Sequence, residues 1–401
     1  MVSAEARPYI DASVPVLREH GVTITRTFYE NMFREHPELT NLFNMGNQAS
    51  GAQQQSLAAA VFAYAANIDN AGALGPVVNR IVHKHASIGI TAEHYPIVGR
   101  HLLGAIQQTL GDAATAPLLS AWDEAYSALA NALIDAEKNL YAQANVEPGQ
   151  LRAMRVTETR QEAEGILSIV MQPLDGQPAP QFKPGQYVSV SVDLGNGRRQ
   201  MRQYSLSDAP KPDRLRISVK RESQGEATPA GEVSNWLHDN VKRDSILHIT
   251  HPFGEFTPDT ESAEPIVLLA AGVGITPMIS TLNRIAEVNP QRHVIFAFAG
   301  RDQAHHAHRT DIAAAQSRMP NLQVVSFYES LNGADAAQGK VHQGLMDIAK
   351  LPLWPKSETN VYMCGPSAFM KAQWVSLIEA GAPAANLHRE VFGPEMLDYL
   401  M

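Results

Sequence analysis

The segment NRIVHKHASIGI, Asn79 to Ile90, carries two histidines separated by one lysine. Imidazole is the commonest metal-binding side chain, so the first question is whether the pair can share an ion. On a helix, residues two apart face nearly opposite ways. Val78, Ile81, Val82, His85 and Ile88 then form one stripe, while Asn79, Arg80, His83 and Ser87 occupy the other side. This excludes a shared zinc site and points His85 inward and His83 outward. Two roles remain for His85: a hydrogen-bonded core histidine, or the lone axial ligand of a metal that brings its other ligands with it, as haem iron does.

A second set of chemical residues lies in RQYSLS, in strand texture. Period two puts Arg202, Tyr204 and Leu206 on one face and Gln203 and Ser205 on the other. One short segment thus offers a phosphate clamp, an aromatic plate and a hydroxyl, because a guanidinium fork donates two parallel hydrogen bonds to phosphate. FKPGQYVSV adds Tyr187 after a Pro-Gly turn, and Ser234 stands at a helix start that suits either a phosphate or an ordinary cap. A third set is PIVLLAAGVGITPMIS, which reads strand, glycine turn, helix. Gly272 and Gly274 permit close backbone approach, Thr276 is a plausible cap and Pro277 suits the first helical turn. The exposed amides there can hold a pyrophosphate, yet the third glycine of G-x-G-x-x-G is absent, so a generic dinucleotide fingerprint does not apply. In NVYMCGPSAFM, Cys364 ends a strand, where inert packing and a place beside a ligand are equally consistent. HHAHR, with His305, His306 and His308, reads as a solvated loop or helix start rather than a metal site.

Three textures position these sets. Alanine and long apolar residues recur at three- and four-residue spacing from Arg7 to about Ala144, which predicts helices. After QANVEPGQ come about six short alternating segments ending near HPFGEFTPD, which predict a compact β-barrel or sandwich. From Pro265, apolar strands alternate with helical segments, the pattern of a parallel sheet with crossover helices. The net charge of −9 argues against nucleic acid or an anionic membrane surface as partner. A single cysteine rules out an internal disulfide, no apolar run is long enough to span a bilayer, and the opening residues lack a secretory signal, so a cytoplasmic location is expected.

The arrangement of Tyr29, Phe43, Gln53 and Leu57 ahead of His85 resembles the bacterial flavohaemoglobin family, in which a globin is fused to a flavin reductase. RQYSLS and AAGVGITPM are similar to the ferredoxin-reductase-like flavin and nicotinamide modules. The resemblance covers essentially the whole chain. It implies an all-α globin over residues 1–145, an antiparallel β-barrel FAD domain over 150–260 and an α/β NAD(P) domain over 263–401. The implied cofactors are haem b, FAD and NADH or NADPH, with Arg301 a weak hint of tolerance for a 2′-phosphate.

Residue by residue, the resemblance makes His85 the proximal iron ligand, oriented by Tyr95 and Glu137, with Phe43 packed on the haem. Tyr29, Gln53 and Leu57 would line the distal side, although Gln54 and Gln55 leave the glutamine register open. A phenol there would bond to bound O2 and slow its release, and a carboxylate on the imidazole would make His85 a stronger donor to iron. Lys84 would lie near the flavin side of the pocket, or be a solvated surface lysine. Tyr187, Arg202, Gln203, Tyr204 and Ser205 would bind FAD. Gly272, Val273, Gly274, Ile275, Thr276 and Pro277 would hold the nicotinamide nucleotide, with Cys364 near its ring. In HREVFGPEM, Glu390, Val391, Phe392 and Gly393 would stand at the flavin, Glu390 between flavin and haem.

The implied activity is nitric oxide dioxygenation, with O2 and nitric oxide as small-molecule partners, nitrate as product, and electrons passing from NAD(P)H through FAD to iron. The resemblance leaves room for a lipid in the distal pocket and suggests a monomer. An O2 or nitric oxide sensor, or a general NAD(P)H-dependent flavin reductase, are the alternative readings, and reduction of nitric oxide to nitrous oxide without O2 is a further one.

Overall fold

Alanine- and leucine-rich sequence becomes helix throughout the first third of the chain: α1 (Arg7–Glu35), α2 (Met45–Ala49), α3 (Ala52–Ala66), α4 (Ala71–Ile88), α5 (His94–Leu110) and α6 (Ala116–Ala144). The computed structural model describes all residues except 1, 69, 226–228, 332–339 and 394–401. Helix α1 packs on α3 and α5, and α4 on α6. Pro37 opens a 3₁₀ turn, Pro37–Asn41, that reverses the chain after α1 and brings Phe43 edge-on to Tyr29 and Phe33, with ring centroids 5.8 and 5.3 Å apart.

Gly89 ends α4 in the left-handed region, φ 80°, and a Cβ there would stand 2.5 Å from Gly149 Cα. The chain leaving α6 therefore crosses the end of α4 where only glycine fits. Ile90 N donates to His85 O at 3.1 Å, so the same turn fixes the last turn of α4, on which His85 stands.

Six antiparallel strands follow: β1 (Arg152–Ala163), β2 (Ile166–Pro173), β3 (Tyr187–Gly195), β4 (Arg198–Ser205), β5 (Leu215–Lys220) and β6 (Ile246–Ile249), in the order β4-β3-β6-β1-β2-β5. The two ends meet at a bridge between Leu206 and Ile217, with Ser207 N donating to Arg216 O at 2.8 Å, so the sheet closes into a barrel. Helix α7 (Glu232–Asn240) buries Val233 and Leu237 in the barrel core beside Val190, Ile217 and Leu247.

The last third is a parallel sheet of β7 (Ile266–Ala271), β8 (Val294–Gly300), β9 (Leu322–Tyr328), β10 (Val341–Gln343), β11 (Asn360–Cys364) and β12 (Leu387–Glu390), ordered β10-β9-β8-β7-β11-β12. Helices α8 (Ile275–Val288), α9 (Arg309–Arg318) and α10 (Ser367–Glu379) cover it. Every residue of β7 is buried because both faces are packed: Leu268 lies with Met278, Ile279 and Leu282 of α8, and Val267 and Leu269 lie with Met370 and Leu377 of α10. No described helix is long and apolar enough to cross a membrane.

The HHAHR segment leads into the start of α9, one of the two expected places, but His306 and His308 are buried where a solvated segment was the other expectation. His306 stacks on Phe298 at 3.7 Å between ring centroids and its Nδ1 is 2.7 Å from the Tyr328 hydroxyl. His308, fully buried, bridges the sheet domain to the barrel, with Nδ1 3.0 Å from Asp311 Oδ2 and Nε2 3.0 Å from Ser218 Oγ. His308 is buried by contact with β5 and His306 by contact with β8 and β9, contacts that local periodicity does not encode.

Candidate functional site

Helix α4 carries His85 toward a cavity of about 1060 Å³ that runs from Phe28 and Tyr29 at one end to β4, the start of α7 and Val391–Gly393 at the other. His85 Nδ1 is 2.8 Å from Glu137 Oε1 on α6 and 3.1 Å from the Tyr95 hydroxyl on α5, and Tyr95 itself donates to Glu137 Oε1 at 2.6 Å. Glu137 is buried, outside the cavity, and reaches it through the His85 imidazole and the Tyr95 hydroxyl, both on the wall. With Nδ1 taken by a carboxylate, Nε2 is the nitrogen left to bind a ligand. Burial and the Glu137 carboxylate push the Tyr95 phenol far above its ordinary range, so it stays a hydrogen-bond donor.

Across the cavity, Tyr29 is almost wholly buried and its phenol is pushed up to about 12, by burial first, with the Gln53 and Gln48 amides working the other way. The three consecutive glutamines separate cleanly: Gln53 lines the cavity, Gln54 is buried and donates to Gln48 Oε1 at 2.9 Å, and Gln55 is exposed. Phe43, Leu57, Val61, Ile81 and Leu102 complete an apolar slot between Tyr29 and His85. A flat apolar group with one metal at its centre fits that slot, since His85 offers it an Nε2 whose ring is held by a carboxylate on the far side.

At the other end, Tyr187, Arg202, Gln203, Tyr204 and Ser205 all line the cavity. Alternation sends Gln203 and Ser205 away from Arg202 and Tyr204, but β4 ends the strand order and the cavity wraps its margin. The Tyr187 hydroxyl and Ser205 Oγ are buried without a hydrogen-bond partner among the described residues. Arg202 donates to Gln200 Oε1 and to Met201 O, both neutral oxygens, and burial pulls its guanidinium below the usual range. Unmatched hydroxyls beside a buried guanidinium fit a polar, anionic cofactor such as a flavin nucleotide. Ser234 is not a helix cap: α7 is preceded by Gly231, and Ser234 Oγ donates to Gly231 O while accepting from Glu222 N. It lines the cavity nonetheless.

The glycine turn is only partly at the cavity. Val273 and Thr276 line it, whereas Gly272, Gly274, Ile275 and Pro277 do not. Thr276 does not cap α8, because a 3₁₀ turn over Gly272–Gly274 starts the helix at Ile275; its Oγ1 donates to Val273 O at 3.0 Å instead. The Gly274 position is closed by the Cys364 carbonyl, so its missing Cβ serves the meeting of two strand ends. Cys364 is fully buried off the cavity, and burial, with Glu390 beside it, pushes its thiol up. Arg301 is exposed, its Nη1 3.3 Å from His305 Nε2.

Glu390, Val391, Phe392 and Gly393 return to the cavity wall, while Pro394–Met396 of the same motif lie outside the described residues. Glu390 is buried, its Oε2 has no partner among the described residues, and burial followed by Glu255 raises its carboxyl to about 8, Lys84 opposing. Lys84 is not a solvated lysine: Nζ donates to Gly393 O at 2.7 Å and burial lowers its ammonium below the ordinary range.

The matches to known proteins follow the same division. Residues 26–133 match the Globin family, 173–257 the oxidoreductase FAD-binding domain and 268–374 the oxidoreductase NAD-binding domain. The flavohemoprotein of Bordetella bronchiseptica is 45% identical over 98% of this chain and 99% of its own, and that of Bacillus subtilis 40% identical over 96% of each. The crystal structure of a Malassezia yamatoensis flavohemoglobin with bound FAD and haem superposes with a TM-score of 0.85, at 28% identity over 98% of this chain and 100% of that one. The chain belongs to the flavohemoprotein family. Its cofactors are haem, FAD and a nicotinamide nucleotide. The FAD/NAD-binding domain of a Vibrio cholerae nitric oxide dioxygenase also matches, with a TM-score of 0.55 and 33% identity over 61% of this chain and 99% of that one.

In this flavohemoprotein the polar side of α4 is a joint, where the sequence pattern pointed to solvent. His83 Nδ1 accepts from Gly254 N at 3.0 Å, Arg80 Nε pairs with Glu255 Oε1 at 2.6 Å, and Ser87 Oγ accepts from Gln203 Nε2 at 2.6 Å. The turn after α1 adds Thr40 O, which accepts from Gln200 Nε2 at 2.7 Å, and Asn41 Oδ1, which accepts from Arg199 N at 3.0 Å. None of these was legible as functional, because a polar helix face reads the same against water as against another domain. One signal was available: Gly99, whose absent Cβ would stand 2.5 Å from the Tyr126 ring, marks where Tyr126 crosses α5 to donate to Tyr95 O.

Proposed function

We propose that this flavohemoprotein is a nitric oxide dioxygenase, converting nitric oxide and O2 to nitrate with electrons from NAD(P)H. The observation that carries the reading is the continuous cavity joining the Tyr29–His85 slot to the Tyr187–Ser205 wall, which lets the electron acceptor and donor share one space. The relative from Vibrio cholerae bears that activity in its name. When bound, haem supplies an iron that holds O2, and FAD divides the electron pair of NAD(P)H into single electrons.

The residues do the rest. His85 presents Nε2 while Glu137 accepts the Nδ1 proton, which raises the imidazole's donor strength toward a metal. Tyr29, with Gln53 beside it, offers a phenol hydrogen where a small diatomic ligand would gain negative charge, in a slot whose apolar walls exclude water. Phe43 and Leu57 shape that slot. Arg202 would hold phosphate by its fork, Tyr204 and Tyr187 would offer aromatic faces to the flavin, and the Ser205 hydroxyl would supply it a hydrogen bond. Val273 and Thr276 face the nicotinamide side, with Glu390 and Phe392 on the wall between the two ends.

The test is to supply purified holoprotein with NADH, O2 and nitric oxide and to measure nitrate. Electron count requires two nitrate ions per NADH, one per electron. Tyr29→Phe is expected to lower nitrate formation about tenfold through loss of one hydrogen bond to a charged ligand, with NADH–ferricyanide reduction unchanged. Nitrate formation that is absent in the parent, or unaltered by Tyr29→Phe, would move the reading to a general flavin reductase.

A further inference from the structure

Outside the cavity, the last turn of α1 and the middle of α5 bring three metal-binding side chains together. One guanidinium nitrogen, Arg100 Nη2, stands 3.0 Å from His36 Nε2, 3.5 Å from His101 Nε2 and 3.8 Å from Glu35 Oε2. The donor atoms of Glu35, His36 and His101 all lie within 4.8 Å of one another. His101 Nε2 is 3.6 Å from Glu35 Oε2, near the roughly 3.4 Å that separates two donors on a tetrahedral ion with bonds of about 2.0–2.1 Å.

Two further observations point to a metal. His36 Nδ1 is 3.1 Å from Glu38 Oε1, which fixes the proton on Nδ1 and leaves the Nε2 lone pair on the shared centre, as an outer carboxylate does for a metal-bound histidine. His101 is 6% exposed, and its Nε2 is turned to the same centre, 3.5 Å from Arg100 Nη2 and 3.6 Å from Glu35 Oε2. Two imidazoles and a carboxylate gathered around a positive charge form a transition-metal donor set, not one for calcium or magnesium. The Arg100 side chain that now carries that charge is 63% exposed and free to swing out.

We propose that Glu35, His36 and His101 form a binding site for a divalent ion of the Zn²⁺ or Cu²⁺ class, with water completing the coordination and Arg100 taking the ion's place in its absence. The comparable cluster of Glu162, His308 and Asp311 does not qualify. Both nitrogens of His308 are already engaged, and Arg160 and Arg216 neutralise the two carboxylates at 2.6 and 3.0 Å.

The experiment is a Zn²⁺ titration, by competition with a chromophoric chelator, of holoprotein whose haem keeps His85 occupied. The parent is expected to show one site that Glu35→Gln and His101→Gln each weaken at least about tenfold, and Glu38→Gln about tenfold. Arg100→Met is expected to tighten it, because a competing cation is removed. Glu35 is half exposed, so Glu35→Gln tests the site without disturbing the helix packing. Cu²⁺ paramagnetic resonance adds a second reading: coupling to two imidazole nitrogens in the parent and to one in His101→Gln. Unchanged Zn²⁺ affinity in Glu35→Gln, or weaker binding in Arg100→Met, overturns the proposal.

Discussion

The barrel meets its two neighbours in different ways. Toward the parallel-sheet domain the junction is a continuous core: Ala163, Ile166 and Phe256 of the barrel side are buried in one cluster with Met278, Ile279, Phe296 and Phe298. A buried polar network runs through the same junction, in which Ser218 Oγ contacts Ser168 Oγ, Ser207 Oγ and His308 Nε2, and Asp311 accepts from Arg216 and Asn283. Toward the helices the junction is one small apolar cluster, Ala86 and Tyr141 against Phe253, and a ring of individual polar contacts around the cavity, Arg80–Glu255, His83–Gly254, Ser87–Gln203 and Thr40–Gln200. The first kind of joint is rigid, because moving it would expose apolar surface and strand buried polar groups. The second can open at a smaller cost, one three-residue apolar contact and a few hydrogen bonds that water replaces. Flavin and nicotinamide sites are thus held in fixed register, and the haem site is the part able to move.

The largest effect that would break this contrast comes from Asp311. Asp311→Ala leaves Arg216, 8% exposed, and His308, fully buried, without their acceptor. Removing one partner of a buried ion pair costs about 3–5 kcal/mol, so urea unfolding followed by flavin fluorescence should shift by that amount while the haem band unfolds as before. An equal loss in both signals would mean that the two joints are one cooperative unit.

Acid should act on the same joint. His306, on the loop pressed against the barrel, has its imidazole pulled down to about 3 by burial. The unfolded chain takes up that proton below about pH 6.5 and the folded one does not until near pH 3, so stability falls as pH drops across that window. The loss is at most about 1.4 kcal/mol per pH unit from this residue. Flavin-reported stability of His306→Leu, compared with the parent from pH 6.5 to 4, should show a correspondingly shallower slope. Parallel slopes would remove His306 from the account.

Much of this architecture is legible in the sequence, for a reason that also marks the limit. Period and apolar content report burial, and burial set the helices, the six barrel strands and the fully covered β7. His85 was placed inward by the same rule, although its role as ligand came only from likeness to a family. The polar face of α4 and the HHAHR loop escaped because their partners are polar groups distant in sequence. Arg80 meets Glu255 175 positions away, and His308 meets Ser218 90 positions away. Thr276 was misplaced as a cap for a local reason, since the Gly272–Gly274 turn starts α8 two residues earlier than the threonine suggests.

The movable joint is tested by rates more than by stability. Arg80→Ala removes a largely buried pair with Glu255; Arg80 borders the cavity, and both groups stand near Lys84 and Glu390. Stopped-flow mixing with NADH should show haem reduction slowed several-fold while flavin reduction keeps its rate, because the nicotinamide–flavin register does not involve α4.

The smallest effect belongs to Gln203→Ala. Its Nε2 gives one hydrogen bond, 2.6 Å, to Ser87 Oγ, two residues past His85, and such a bond contributes about 0.5–1.5 kcal/mol. If that bond holds the closed joint, its loss shifts the closed fraction by about two- to tenfold at most, and haem reduction slows by no more than that. Ser87→Ala should do the same, and the double variant no more than either single one, since each removes the same contact. Additive slowing would assign Gln203 to the flavin alone and leave the joint to Arg80 and Glu255.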